Sequence, residues 1–295
     1  MGSVRIDREL CTQCGLCVQD CVRRLFFQQP DGQIGVQDEV WCILCGHCVA
    51  VCPTGAISHS ALGSEGFDDI PGESRLALDS LRAFLRMRRS VRAYRDQPVP
   101  RSVLEELVEV ARFVPTASNQ QNVAFTIVDD RATIKRLADL TADFYHRLLQ
   151  GLREPSVVEA MRATVSAEEL KSTLNSVPRL ERLVSAYRRG EDVLLWNAPV
   201  LLVAHAPKAD YFGRDNCLFA VYALMLAATA RGVGTCLMGF VLRAVQQDGT
   251  IAEVIGLPAD QMAHAVLAAG YPRYQYSRLV PRKPIPIRWL DNVRD

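Results

Sequence analysis

Cys11-Thr-Gln-Cys14-Gly-Leu-Cys17-Val-Gln-Asp-Cys21 and Cys42-Ile-Leu-Cys45-Gly-His-Cys48-Val-Ala-Val-Cys52-Pro53 decide how the front of this chain folds. Both stretches have the form C-x2-C-x2-C-x3-C, and the second adds the following proline. Of ten cysteines in 295 residues, eight precede position 53, too uneven a distribution for scattered core thiols. Three thiolates at this spacing in a tight loop converge on one iron–sulfur cubane while backbone amides point at its sulfides. Structural zinc and disulfides are the alternatives. Zinc sites usually pair two short knuckles rather than offer runs of four thiols. Disulfides need an oxidising compartment, to which nothing in the sequence points.

The doubled motif resembles a two-cluster bacterial ferredoxin, over about residues 4 to 58. In that arrangement the fourth ligand of each cluster comes from the other motif. The resemblance therefore implies one [4Fe–4S] cluster on Cys11, Cys14, Cys17 and Cys52, and a second on Cys42, Cys45, Cys48 and Cys21. Val22 stands where the family places proline, which touches turn rigidity and leaves the sulfur ligands intact. His47, between two ligands, reads as a surface or outer-shell residue. A ferredoxin-like domain over 1–60 is expected, followed by a glycine- and acid-bearing linker over 61–79.

The rest of the composition is that of a globular protein. Hydrophobic residues make up 49% and charged residues 23%, enough to bury a full core. The 34 basic and 33 acidic residues nearly cancel, so neither nucleic acid nor an anionic membrane is an expected partner. No apolar segment follows Met1–Ile6 as in a signal peptide, and Ile6 does not suit myristoylation. The apolar run from Cys217 to Ala230 is shorter than the roughly 20 residues of a spanning helix. A soluble, cytoplasmic protein is the expectation.

Beyond residue 80 the pattern alternates helices with short apolar strands, and the fold class expected is α+β over 80–295. Ser80 to Arg89 reads as an amphipathic helix. Ser102-Val-Leu-Glu105 reads as a capping box opening a second one. Strands are expected at Val123–Val128, Pro199–His205 and His264–Ala269. Asn216 to Arg231 reads as a helix buried on most sides, and 131–192 as a charged helical insertion covering a pocket. Gly232-Val-Gly234 lacks the third glycine and the preceding strand of a dinucleotide loop. Cys217 and Cys236 read as ordinary buried core thiols.

Arg88-Arg89-Ser90-Val91-Arg92-Ala93-Tyr94 is similar to the opening signature of the FMN-dependent nitroreductase family. Pro115-Thr-Ala-Ser-Asn119-Gln-Gln121-Asn resembles that family's second flavin loop, with Asn122 in place of the usual proline. Gly232-Val-Gly-Thr-Cys-Leu-Met238-Gly239-Phe240 resembles its third, and Pro281-Arg282-Lys283-Pro284 its basic C-terminal segment. Asn197-Ala-Pro-Val matches its Ala-Pro strand. The resemblance covers about residues 80 to 290 and implies FMN. Arg88, Ser90 and Arg282 fall at the phosphate, where guanidinium forks suit a dianion, and Arg89 belongs to the same cofactor-binding signature. Arg92 falls at the pyrimidine edge, Asn119 and Gln121 at ring-facing positions, and Met238–Gly239 where a backbone N–H meets N5.

Together the two resemblances imply an iron–sulfur flavoprotein oxidoreductase. Single electrons from a low-potential donor such as ferredoxin would pass through two [4Fe–4S] clusters to FMN. The reduced flavin would reduce a small organic acceptor such as a nitroaromatic, a quinone or an activated alkene. Two other readings stand beside it: a non-catalytic electron-transfer or redox-sensing flavoprotein, and a dehydrogenase delivering electrons outward to ferredoxin. A homodimer is expected, from the family resemblance and from the apolarity of 216–231.

Overall fold

The structure is a computed structural model that describes residues 2–63, 67–72 and 74–290. The chain divides into two units, 1–76 with 115–122 and 77–114 with 123–295. The first unit thus runs to Leu76, and part of the expected linker belongs to it. Residues 64–66 and 73 of that linker lie outside the described residues.

The first unit repeats one plan twice. Strand β1 (Val4–Ile6) leads into the first cysteine loop and helix α1 (Leu16–Asp20), then β2 (Phe26–Gln28). Strand β3 (Ile34–Val36) leads into the second loop and helix α2 (His47–Ala50), then β4 (Ile57–His59). β2 and β3 form a hairpin, closed by the Pro30-Asp-Gly turn residues. β1 and β4 pair antiparallel, with Val4 opposite His59. Leu25, Phe26, Ile34 and Ile57 are buried between the two cysteine loops and make the small core.

The second unit opens with α3 (Leu78–Met87), α4 (Arg101–Ala111) and β5 (Ala124–Val128). The charged region 131–192 is three helices, α5 (Arg131–Gly151), α6 (Pro155–Thr164) and α7 (Ala167–Arg188). Then come β6 (Val200–Pro207), α8 (Gly213–Ala230), β7 (Gly234–Leu237), α9 (Gly239–Gln247), α10 (Gly249–Ile255) and β8 (Gln261–Gly270). The sheet order is β5-β6-β8-β7, every pairing antiparallel. β6 reads as an unbroken apolar run because both faces are covered. Val200, Leu202 and Ala204 pack with α4 and α8, while Leu201 and Val203 pack with α5, α7 and α9. Among the described residues no helix is long and apolar enough to cross a membrane.

Two expectations need correction. The helix read over Ser80–Arg89 runs from Leu78 to Met87, because residues 88–91 are extended and Ser90 pairs with Thr235. The capping box at Ser102 does not form: Pro100 is the N-cap, so Ser102 already lies inside the first turn. The capping box that does form is Ser166 with Glu169, at the start of α7. Helix α8 buries Cys217, Val221, Leu224 and Met225 and leaves Leu218, Phe219 and Tyr222 exposed along one stripe.

Candidate functional site

The cysteines gather in two sets of four. Cys11, Cys14, Cys17 and Cys52 line one small cavity, and Cys21, Cys42, Cys45 and Cys48 line another. Each set mixes three thiols of one motif with the last thiol of the other, which the two-fold plan of the unit brings across. Gly15 and Gly46 cap α1 and α2 at φ 73 and 74, a left-handed conformation that glycine takes without cost. Gln13 and Leu44 hold the same sign of φ inside each C-x2-C, turning successive peptides inward. The backbone N–H of Leu25 donates to Cys21 Sγ at 3.5 Å, and that of Ala56 to Cys52 Sγ at 3.2 Å. These bonds sit at matching positions of the two halves.

The donor set fits cubane clusters better than single ions. Four thiolates on one zinc would stand about 3.8 Å apart, given a Zn–S bond near 2.3 Å. Among the described residues no three Cys, His, Asp or Glu groups are placed to hold one metal ion. A looser ring of four thiols is what a larger inorganic core requires. Burial pushes the Cys48 thiol up to about 11, with Cys45, Cys42 and Cys21 adding to it. Burial also raises the Cys52 thiol, but donors from Thr54, Ala56 and Ile57 outweigh it and the net shift is downward.

Beside the cysteines stand one residue without a signal in the sequence, His59, and one assigned there to another site, Asn119. His59 is buried, and its Nε2 lies 3.6 Å from Cys42 Sγ. Asn119 donates its side-chain amide to the carbonyls of Ile43 and Leu44, at 3.0 and 2.9 Å, inside the second cysteine loop. Asn119 was expected to face a flavin. His47, by contrast, is exposed and lies 3.5 Å from Asp20.

In the second unit, residues 88–92 run beside β7. The Val91 N–H donates to the Thr235 carbonyl at 2.9 Å, and Ser90 and Thr235 form a parallel bridge. The opening signature and the third loop, more than 140 residues apart in sequence, are therefore one local structure. A cavity of about 480 Å³ is lined by Arg92, Cys236, Met238, Gly239 and Phe240 together with side chains of α7. That volume lies in the range of cofactor and substrate sites. A second cavity of about 390 Å³ is lined by Arg88, Arg89, Gly232, Thr235, Tyr274 and Arg278. Arg89 Nη1 donates to the Arg88 carbonyl, while its buried Nε and Nη2 have no partner among the described residues. Buried guanidinium donors without acceptors are what an anionic phosphate satisfies. The residues present fit a cofactor with a planar ring and a phosphate.

Asn119 and Gln121 belong to the first unit with the cysteines, and Arg282 lines neither of these cavities. Arg282 is exposed, its nearest bond a 3.5 Å contact to the Pro281 carbonyl. Cys236 and Cys217 are buried, and burial raises both thiols, Cys217 to about 12. Tyr145, also buried, donates to the Phe240 carbonyl at 2.8 Å, and desolvation pushes it up to about 12.

Residues 85–271 match the family model described as the nitroreductase family, and residues 10–57 match the 4Fe-4S dicluster domain. A protein of Thermus thermophilus named NADH dehydrogenase is 30% identical over 196 residues, covering 66% of this chain and 87% of its own. A 5,6-dimethylbenzimidazole synthase of Rhodospirillum rubrum is 27% identical, covering 67% and 84%. The crystal structure of a nitroreductase with bound FMN from Desulfitobacterium hafniense superposes with a TM-score of 0.52 at 16% identity. It covers 72% of this chain and all of its own, a likeness of fold.

Proposed function

Because this chain belongs to the nitroreductase family and carries a 4Fe-4S dicluster domain ahead of it, we propose an iron–sulfur flavoprotein oxidoreductase. Electrons from a low-potential donor such as ferredoxin enter through two [4Fe–4S] clusters, reach FMN and leave to a small organic acceptor. The observation that carries this reading is one chain holding both two four-thiol rings and a cavity that ends at Gly239. Bound clusters supply one-electron transfer and bound FMN supplies hydride transfer at N5.

The chain's own residues bind and orient. Arg88, Arg89 and Ser90 hold the phosphate through charge-assisted bonds. Arg92 sets a positive charge at the pyrimidine edge, where it favours the anionic reduced ring. Met238 and Gly239 present backbone at N5. Asn119 and Gln121 stand as ring-facing positions by family resemblance; Arg282 lines neither cavity of its own unit, and we assign it to the site of a second copy. The exposed stripe of Leu218, Phe219 and Tyr222 on α8 supplies an apolar face for that homodimer.

Cys14→Ser and Cys45→Ser each remove a ligand from a different ring and test the route. Turnover driven by reduced ferredoxin is expected to collapse in both, while turnover with flavin reduced directly by light persists. Full ferredoxin-driven activity in either variant would sink the proposed entry through the clusters. The relative named NADH dehydrogenase makes NADH the donor to compare, and NADH-driven turnover that ignores both variants would place entry at the flavin.

A further inference from the structure

Three guanidinium groups converge on the larger cavity without any carboxylate among its lining residues. Arg92 comes from the segment beside β7, Arg179 from α7 and Arg243 from α9. Elsewhere in this unit arginines pair with carboxylates: Arg147 with Asp248 at 2.6 Å and Arg153 with Glu181 at 3.0 Å. Among the described residues, Arg92, Arg179 and Arg243 have no such partner. The remaining wall is aromatic. The Arg179 guanidinium stands 5.0 Å over the Phe240 ring, whose centroid is 5.6 Å edge-on from Tyr145, and Trp196 completes the side. The Tyr145 hydroxyl donates a hydrogen bond to the Phe240 carbonyl.

Resting on the oxidoreductase reading above, we propose that this cavity selects an acceptor with a planar ring and a carboxylate or similar anion. Arg179 and Arg243 grip the anion, and Phe240, Tyr145 and Trp196 pack on the ring. The chemistry follows from the wall itself: guanidinium forks match carboxylate oxygens in pairs, and flat aromatic faces favour a flat guest. A neutral ring would leave Arg179 and Arg243 unneutralised beside a partly desolvated guest.

The probe pair is 4-nitrobenzoate and nitrobenzene, reduced by the dithionite-loaded full chain. Reduction of the nitro group to nitroso takes two electrons from the enzyme and two protons from solvent, and releases water. The expected kcat/KM ratio favours the carboxylate by about ten- to a hundred-fold, mostly through KM, the size of one or two charge-assisted bonds. Arg179→Ala and Arg243→Ala should bring that ratio toward one, and Arg243→Lys should restore part of it. Benzoate titrated into the FMN-loaded protein should perturb the flavin spectrum in the parent and far more weakly in both alanine variants. Equal ratios in parent and variants, or loss of FMN from the variants, would overturn the anion grip. If neither nitro compound turns over while benzoate still binds through the two arginines, the oxidoreductase reading fails and the anion site stands.

A different observation carries a second inference, within the first unit. The Ala61 N–H donates to His59 Nδ1 at 3.1 Å, so Nε2 carries the ring proton, and Nε2 faces Cys42 Sγ at 3.6 Å. The matching residue of the other half, seven past the last cysteine of its motif, is Gln28. Its amide goes instead to the carbonyls of Gln13 and Gly32. Hydrogen bonds to ligand sulfur raise a cluster's potential by stabilising its more negative reduced state. We infer that His59 is a positioning residue that makes the two four-thiol sites unequal, the Cys42 site having the higher potential. EPR-monitored redox titration of the full chain should resolve two one-electron steps. Cys45→Ser should remove the upper one, His59→Leu should lower it alone, and His59→Gln should lower it less. A lower step that moves equally, or an upper step untouched by His59→Leu, would overturn the assignment.

Discussion

Gly234 is where the two halves of the candidate flavin site press together, and one methyl group there tests the whole arrangement. A Cβ on Gly234 would lie 2.6 Å from Val91 Cγ2 and 2.8 Å from both Val91 Cβ and Cγ1. Ordinary carbon contacts sit near 3.5–4.0 Å, so the shortfall is roughly 1 Å. All three atoms of the isopropyl group are involved, and no χ1 rotation clears them. Either residues 90–91 or β7 must move. Overpacking of this kind costs about 1–3 kcal/mol. At roughly 2–4 °C per kcal/mol for a unit of this size, Gly234→Ala should lower the thermal midpoint by about 2–12 °C. The displaced strand carries Arg88, Ser90 and Arg92. Loss of a single charge-assisted bond to phosphate, about 1.5–3 kcal/mol, would weaken FMN binding by about tenfold or more. Val91→Ala alone should cost about 1.5–3 kcal/mol for two buried methyls and the space they leave. In the double variant the new methyl occupies that space, so the combined loss should fall about 1–2 kcal/mol short of the sum. Thermal unfolding and fluorescence titration of FMN read both quantities. Parent-like stability and FMN affinity in Gly234→Ala, or strict additivity in the double variant, would refute the reasoning.

Two further outcomes follow from exposure and from titration. The FMN-loaded chain should sediment at the mass of two chains, and Phe219→Glu, which puts a charge on the exposed stripe of α8, should shift it toward one; a monomer that keeps FMN would remove the assignment of Arg282 to a second copy. His264 is held below the usual histidine range by burial first and by Arg214 next, with His205 adding to that and Asp210 opposing it. A lowered pKa means the unfolded chain binds the proton more readily, so stability is full above about pH 6.5 and declines as pH falls toward the folded value. His264→Gln should flatten the fall in thermal midpoint between pH 7 and 5.5, and an unchanged slope would clear His264 of the effect.

What the sequence made legible depended on how far apart the interacting residues lie. The two thiol rings could be read because ligand spacing within each motif is local, and the doubled motif implied the exchange of fourth ligands. Strand β6 could be read because a run buried on both faces needs no alternation. The contact of His59 with Cys42 could not, since it exists only once β1 and β4 pair and carry residue 59 back to the second loop. Arg89 reads as the end of a helix, whereas the helix stops at Met87 and the neighbouring Ser90 pairs with Thr235. Ser102 was read as a cap because its spacing to Glu105 is right, yet Pro100, with φ −58, already starts the helix. In each of these cases a long-range or neighbouring constraint overrode a correct local preference.

Trp196 shows the same override inside the cavity. Trp196 and Asn197 hold φ 58 and 51, a conformation that costs a non-glycine residue about 1–3 kcal/mol. Asparagine takes this region comparatively readily, but a bulky tryptophan does not. The turn is held by Asp192, whose Oδ1 accepts from the N–H groups of Leu194 and Leu195 at 3.1 and 2.8 Å, and whose Oδ2 accepts from Asn197 at 2.8 Å. Three bonds to one carboxylate, each worth about 1.5–3 kcal/mol, are enough to hold both residues in place. Leu194 and Leu195 are then driven into the core while Trp196 is left to line the cavity. One aspartate thus converts buried leucine packing into the placement of an aromatic wall. The wall is as rigid as the core it is tied to, as expected if that side of the cavity selects its guest by shape while the arginines opposite select by charge.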